Sequence, residues 1–457
     1  MNKQWRIRRD AAGGKAIVSL FALRTRAYDG GCQAFGGDME NRAGKYEGRR
    51  SGMYRFRASA MFAFLLAAAG GWAKPARAQT LDVLYNFTLQ SGAEPLAGLV
   101  RDKTGNLYGT TDSGGVNTCF NDYCGVVFEL DASGNEHILY EFTGGKDGGM
   151  SGAPLIRDPS GNLYGTAYVG GNFDKCGEGC GVVFQINEAG KEKVLHTFRG
   201  GTKDGCGPLA GLVKDSAGNL YGTTFHCGTW GYGTVFKLDH KGNETLLHSF
   251  SGRDNGDGEN PYGLLLDRKG NLYGVAVMGG TSDNGVVYKL DKNGHETVLH
   301  SFGGGNSDGC QPIGTPTMDA AGNLYGTTFD CGSYSGDGIV WKLSASHKET
   351  VLHRFSGGST DGAEPRSGVI LSKGILYGET WLGGPSNFGT IFELKQNQHN
   401  KMILLHTFTG ADGVGPWGDM IQDAQGNFYG TTSIGGYAWG TAWKLTPQGV
   451  ESKLTAF

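Results

Sequence analysis

The chain has 457 residues, 82 of them glycine, with 41 Lys and Arg against 44 Asp and Glu for a formal net charge of −3. Glycine at that level sits at turns rather than scattered, and no segment shows helical spacing, which excludes a helix bundle. Residues 1–78 hold 15 of the basic and 5 of the acidic residues, so the remainder carries 26 against 39, a net charge of about −13. A surface that acidic repels phosphate backbones and argues against nucleic acid as a partner.

In chain order, residues 1–52 have no periodicity and read as an over-extended gene start without structure of its own. Met53 opens a second segment, with Arg55 and Arg57, the apolar run Ala60–Gly70, then Ala76-Arg77-Ala78 before Gln79. Those are the charged, apolar and small-residue parts of a secretory signal peptide over 53–78. The apolar run is too short for a permanent membrane anchor. No Cys follows the cleavage site, so no lipid anchor is expected there. The sequence predicts cleavage near Ala78 and a soluble, monomeric, secreted or periplasmic protein over 79–457, with no membrane span.

The rest is a tandem repeat. Gly-Asn-Leu-Tyr-Gly, or a near copy, starts at Gly105, Gly161, Gly218, Gly270, Gly322, Gly374 and Gly426, at intervals of 56, 57, 52, 52, 52 and 52. One supersecondary unit is copied and stacked. In the third unit the pattern predicts four strands, Gly211–Asp215, Leu220–Thr224, Gly233–Leu238 and Glu244–Phe250, with tight turns between the first and second and between the third and fourth. Seven such antiparallel units predict an all-β, seven-bladed β-propeller of repeats about 52 residues long. A parallel β-helix is the rival, but it uses shorter coils, and hairpin turns at fixed offsets argue against it.

The chain offers one strand too many for seven blades, because the fourth-strand text occurs at both Leu81–Phe87 and Glu451–Phe457. The N-terminal copy leads into the first unit through Ser91-Gly92-Ala93-Glu94-Pro95, the kind of loop that joins every other pair of units. It is therefore expected to pair with the third strand at Gly440–Leu445 and remove the open edge of the ring. The C-terminal copy has in its favour the short hairpin Thr446–Gly449 and a low closure cost.

The repeat text, roughly Leu-His-Ser-Phe-x-Gly-Gly-x-x-Asp-Gly-x-x-Pro followed by Gly-Asn-Leu-Tyr-Gly-Thr-Thr, resembles the tandem repeat of the bacterial GloVer family of choice-of-anchor exported proteins, over about residues 81–457. The resemblance implies an exported repeat protein and brings no catalytic residues.

Eight Cys follow the leader. Units three and five each have one directly after Asp-Gly, Cys206 and Cys310, and one 21 residues later, Cys227 and Cys331, where other units have the first Gly of a Gly-Gly pair. They occur jointly or not at all, so the expected pairs are Cys206 with Cys227 and Cys310 with Cys331. The others fall within single loops of units one and two, pairing Cys119 with Cys124 and Cys176 with Cys180. A metal site built from these close spacings is the rival, disfavoured in an oxidising compartment.

All eight lie on one face, with the longer loops that enter the first strand and join the second to the third. Function is expected there, because long loops on a rigid scaffold carry it. The residues after the Thr-Thr pair run Asp112, Tyr168, Phe225, Val277, Phe329, Trp381 and Ser433, and Tyr262 and Trp417 follow the loop proline in units four and seven. The candidate ligand-binding residues are therefore Tyr168, Phe225, Tyr262, Phe329, Trp381 and Trp417, suited to stacking on sugar rings, with water-excluding packing as the plainer reading. His196, His248, His300, His353 and His406 interchange with Tyr85 and Tyr140 in the fourth-strand register and read as packed, hydrogen-bonding positions. The Asp of each Asp-Gly is expected to cap a turn. No cofactor is required, although Asp254, Asp257 and Glu259 supply enough oxygen for calcium without the EF-hand spacing.

Glu379, in place of the first Thr of the pair, and Asp419, in place of an inner-strand Gly, are the candidate catalytic carboxylates. The sequence favours a non-catalytic exported propeller that binds a glycan or a cell-surface protein. The alternatives are a carbohydrate-active hydrolase or lyase using Glu379 and Asp419, and a purely structural surface repeat protein.

Overall fold

In the computed structural model the described residues are 80–446, apart from 120–121, 334 and 437–438. The leader and the C-terminal fourth-strand copy lie outside them. Each repeat begins with a hairpin whose chemistry is written in its motif. In the third unit Asp215 Oδ1 accepts the N–H groups of Ala217 and Asn219, while Oδ2 accepts Asn219 Nδ2 at 2.7 Å and the Tyr221 hydroxyl at 3.0 Å. Asp102, Asp158, Asp267, Asp319 and Asp423 hold the Tyr of their own motifs in the same way. The first Gly of the motif takes the left-handed conformation that closes the turn, Gly218 at φ 86°. The second answers to packing. A Cβ on Gly222 would lie 2.6 Å from the Phe236 ring of the third strand, and all seven repeats set an aromatic ring against this glycine.

The hairpins build seven antiparallel blades of four strands, as expected, the first strand of the seventh being split into Val414–Pro416 and Ile421–Gln422. The third blade orders Val213–Lys214, Leu220–Thr224, Thr234–Leu238 and Glu244–Ser249 from first to fourth strand. The only helical turns among the described residues are single 3-10 turns at Arg253–Asn255 and Gln396–Gln398. In the seventh blade the outer position is taken by Leu81–Asn86, paired antiparallel with Thr441–Leu445 so that Leu81 faces Leu445 and Asn86 faces Thr441. The N-terminal strand therefore closes the ring.

Blades are joined through aromatic pairs. The Phe just past each fourth strand inserts edge-on against the third-strand ring of the following blade: Phe87 on Phe128, Phe142 on Phe184, Phe198 on Phe236, Phe250 on Tyr288, Phe302 on Trp341, Phe355 on Phe392 and Phe408 on Trp443, with centroids 5.0 to 6.1 Å apart. These inserting Phe residues are at most 1% exposed. Edge-to-face pairs of this kind add about 1 kcal/mol each beyond the area they bury.

Three of the five fourth-strand histidines hydrogen-bond the Asp-Gly aspartates that follow them, with Nε2 to carboxylate distances of 3.1 Å for His248–Asp257, 3.2 Å for His353–Asp361 and 2.8 Å for His406–Asp412, while His196 and His300 stand 3.8 and 3.5 Å from Asp204 and Asp308. Tyr140 makes the same bond to Asp147 at 3.0 Å. Burial alone would raise these aspartates, but their hydrogen bonds prevail, and Asp257, Asp361 and Asp412 fall below the ordinary value, Asp412 to about 2. A glutamate from the next blade's fourth strand stands beside several of the pairs. Burial, and then the adjacent Asp147, Asp204 or Asp257, pushes Glu192, Glu244 and Glu296 up to about 7.

All four expected disulfides are present, Cys119–Cys124, Cys176–Cys180, Cys206–Cys227 and Cys310–Cys331. In the third blade the bond reinforces a two-stranded ladder in which Gly205 faces Cys227 and Cys206 faces His226. Hydrogen bonds alone make the matching ladder of Gly362–Ala363 with Leu382–Gly383 in the sixth.

Two outcomes follow. Phe87→Ala should cost as much as Phe250→Ala, about 3–5 kcal/mol, because both sit in equivalent interfaces; a loss under half that, measured by chemical denaturation, would mean the N-terminal strand is dispensable to closure. The aspartates contribute stability that is lost as pH falls through their depressed folded values. The glutamates, raised from an ordinary 4.5 to about 7, contribute stability that is lost as pH rises between those values. The melting midpoint should therefore peak near pH 4, between the ordinary aspartate value of 3.8 and the ordinary glutamate value of 4.5, and Glu192→Gln, Glu244→Gln and Glu296→Gln together should flatten its alkaline decline. A midpoint that climbs steadily to pH 8 would contradict this assignment.

A candidate binding face at the mouth of the channel

On the loop face the chain enters each blade through a kink. The residue before the loop proline, or before its replacement Ser151, has positive φ in all seven units: 55° at Glu94, 53° at Met150, 65° at Gly207, 57° at Asn260, 56° at Gln311, 53° at Glu364 and 64° at Gly415. Such backbone is costly for non-glycine residues and persists where its surroundings hold it. Here the kinked residue is stitched between blades: Glu364 donates its N–H to Asp337 O and accepts the N–H of Trp381. Two residues on, the chain turns toward the channel, and Leu96, Gly152, Leu209, Tyr262, Arg366 and Trp417 from six blades line its mouth.

The six aromatic candidates are all half-buried, but the structure divides them. Phe329, Trp381 and Trp417 converge on the guanidinium of Arg366, whose central carbon lies 4.3, 4.2 and 4.1 Å from their ring centroids. Trp381 and Trp417 also pack edge to face with centroids 6.2 Å apart. Tyr262 joins Arg366 and Trp417 in the lining of the mouth. Tyr168 and Phe225 stand apart from this cluster, Tyr168 under Gly207 and Phe225 against the His226 ring. Arg366 itself was not among the sequence candidates. Its signal was there, since the position after the loop proline reads Leu96, Gly152, Leu209, Tyr262, Ile313, Arg366 and Trp417, with a single charge. Arg366 is 8% exposed, and burial, partly offset by Glu364, lowers its pKa to about 10.

Below the mouth a ring of hydroxyls ties blade to blade. Thr110, Thr166, Thr223, Thr327 and Thr431 donate to Ala153 O, Ala210 O, Tyr262 O, Ser367 O and Ala97 O of the following blades. Glu379 occupies this position in the sixth blade. It is 1% exposed, and neither carboxyl oxygen has a hydrogen-bond partner. Burial, and then the charge of Asp419, holds its pKa well above the ordinary value. The two carboxyl groups are thus neighbours, as their adjacent repeats suggest. Asp419 lines the mouth and accepts the Gly368 N–H at 2.6 Å, and burial raises its pKa against that hydrogen bond.

Asp257 is taken by His248, the Ser251 N–H and hydroxyl, and the Gly258 N–H, Glu259 accepts the Arg253 N–H, and Asp254 is exposed. Among the described residues the mixed His and carboxylate groups whose ligand atoms converge within 4.8 Å are His196 with Asp204 and Glu244, and His300 with Asp308 and Glu349.

A neutral buried acid destabilises the fold increasingly as pH rises above its unfolded value, by at most about 1.4 kcal/mol per pH unit. Glu379→Gln should therefore raise stability, by more at pH 8 than at pH 5. A gain that does not depend on pH would show that Glu379 is ionised in the folded protein.

No curated protein matches this chain in sequence. One solved structure, described as a candidate gluconolactonase, is 11% identical with a TM-score of 0.40, covering 82% of this chain and 96% of that one. That distance transfers no chemistry. The family model of the Gloeobacter/Verrucomicrobia repeat matches residues 73–213, 175–392 and 313–457, overlapping along the whole propeller, and the chain belongs to that family.

Proposed function

We propose that this chain is an exported, non-catalytic propeller that binds a glycan through its loop face. The observation that carries the reading is where the exposed apolar side chains lie. Phe173, Trp230, Tyr232, Phe388 and Trp439, 37 to 59% exposed, all occupy the segments between second and third strands, as does Val116, while Met278 and Ile434 lie at the loop-face ends of second strands. Of the large exposed apolar residues among those described, only Ile138, on an outer strand, lies elsewhere. Aromatic rings held open to water on a rigid frame suit the apolar faces of sugars. Disulfides accord with an oxidising compartment, and no helix among the described residues is long and apolar enough to cross a membrane. Binding is favoured over hydrolysis because Glu379 is 1% exposed, which leaves a glycosidic oxygen no approach to it.

A glycan array with the purified chain tests this. Trp230→Ala with Tyr232→Ala should weaken the best hit at least about tenfold, 1.4 kcal/mol, with the melting midpoint nearly unchanged because both rings are exposed. No retained glycan, or undiminished binding by the variant, would overturn the reading. Cleavage of a bound glycan that disappears with Glu379→Gln would move the assignment to an enzyme.

A further inference from the structure

We propose that Arg366 anchors an anion subsite at the channel mouth, and that the ligand of the loop face is an acidic glycan bearing uronate carboxylates. This rests on the glycan reading and narrows it. A guanidinium carries five N–H donors and is expensive to bury without acceptors. Arg366 is 8% exposed, makes no hydrogen bond with any described residue, and has its Nε sealed without a partner. The carboxylate it pairs with, Glu364, is 3.8 Å away, beyond hydrogen-bonding distance. The chain thus holds a cation among three aromatic rings with its donors unspent. Buried polar groups in that state ordinarily have an ion or water as partner.

The geometry favours a planar anion. The donor fork of a guanidinium matches a planar carboxylate in bidentate fashion. The mouth that Arg366 shares with Tyr262, Trp417, Thr315 and Asp419 has room for only about 30 Å³, which admits water-sized groups and no sugar ring. A ligand presents its acidic substituent to Arg366 while its rings stay outside on the exposed aromatics. Arg366 is the single charge in its repeat position, so recognition is local and needs no basic patch.

The test is calorimetric titration of the purified chain with oligogalacturonate and with the same oligomer methyl-esterified. The acid should bind, the ester at least about tenfold more weakly, and Arg366→Gln should bring the acid down to the level of the ester. Arg366→Lys, which keeps the charge and loses the fork, should fall between. Equal binding of acid and ester by the unaltered chain would overturn the inference whether or not either variant folds. Neutral glycans bound through Trp230 and Tyr232 with no preference for the acid would leave the glycan reading standing and remove this one. Preference for sulfated over carboxylated oligomers would overturn the carboxylate assignment, and failure of every glycan would remove both readings.

Discussion

Everything in this ring depends on a side chain that is missing. The second Gly of each Gly-Asn-Leu-Tyr-Gly leaves the space into which the third-strand aromatic lies down across its own blade, and that ring is the surface on which the Phe of the preceding blade lands edge-on. One glycine therefore serves two contacts, sheet packing within a blade and the joint between blades. Overfilling such a site costs about 1–3 kcal/mol. The third-strand ring can be Phe, Tyr or Trp, as at Phe236, Tyr288 and Trp341, whereas the glycine beneath it is the same in all seven repeats.

Once the joints are carried by buried rings, the loop face is free to diverge, within backbone limits. The first position of the Gly-Gly pair is left-handed: 86° at Gly114, 80° at Gly170, 83° at Gly279, 94° at Gly383 and 101° at Gly435. Cys227 and Cys331 occupy it at 67° and 65°. A non-glycine residue there is strained, and in both cases a disulfide to the facing strand holds it. That explains why the two Cys of a pair appear together: the second would have no reason to tolerate that backbone without the first.

The parts of the molecule that repeat were legible in the sequence, and the parts that depend on a neighbouring repeat were not. The hairpin is local, so Leu220–Thr224 and its partners fall where the alternation puts them. The disulfides and the ring-closing strand were legible because each could be argued by comparing one repeat with another. The histidine register read correctly as a hydrogen-bonding position, but its partner aspartate, several residues on and across a glycine loop, becomes visible only when the loop folds back. Arg366 was not legible, because a buried cation among aromatic residues is recognisable as one only after Phe329, Trp381 and Trp417 have been brought from three blades to a single point. The same comparison set Tyr168 and Phe225 beside those residues by register, although they stand half a ring away from Arg366.

Symmetry and function pull in opposite directions here, and the sixth blade is where symmetry gives way. Its hairpin turn at Ser372-Lys373-Gly374 has no capping aspartate, Glu379 interrupts the ring of threonine bonds, and Met402 stands in the strand register where five blades carry glutamate. Arg366 and Trp381 belong to the same blade. The missing aspartate and the threonine that Glu379 replaces each make a bond in most other blades, and the unpartnered Glu379 carboxyl is buried where low dielectric makes its isolation costly. A scaffold of seven near-identical interfaces can carry one weakened member because the remaining joints hold the ring. The neighbouring blades contribute Phe329 on one side and Trp417 with Asp419 on the other, so this sector brings a buried cation, three aromatic rings and two buried carboxyl groups together where the repeat is least regular.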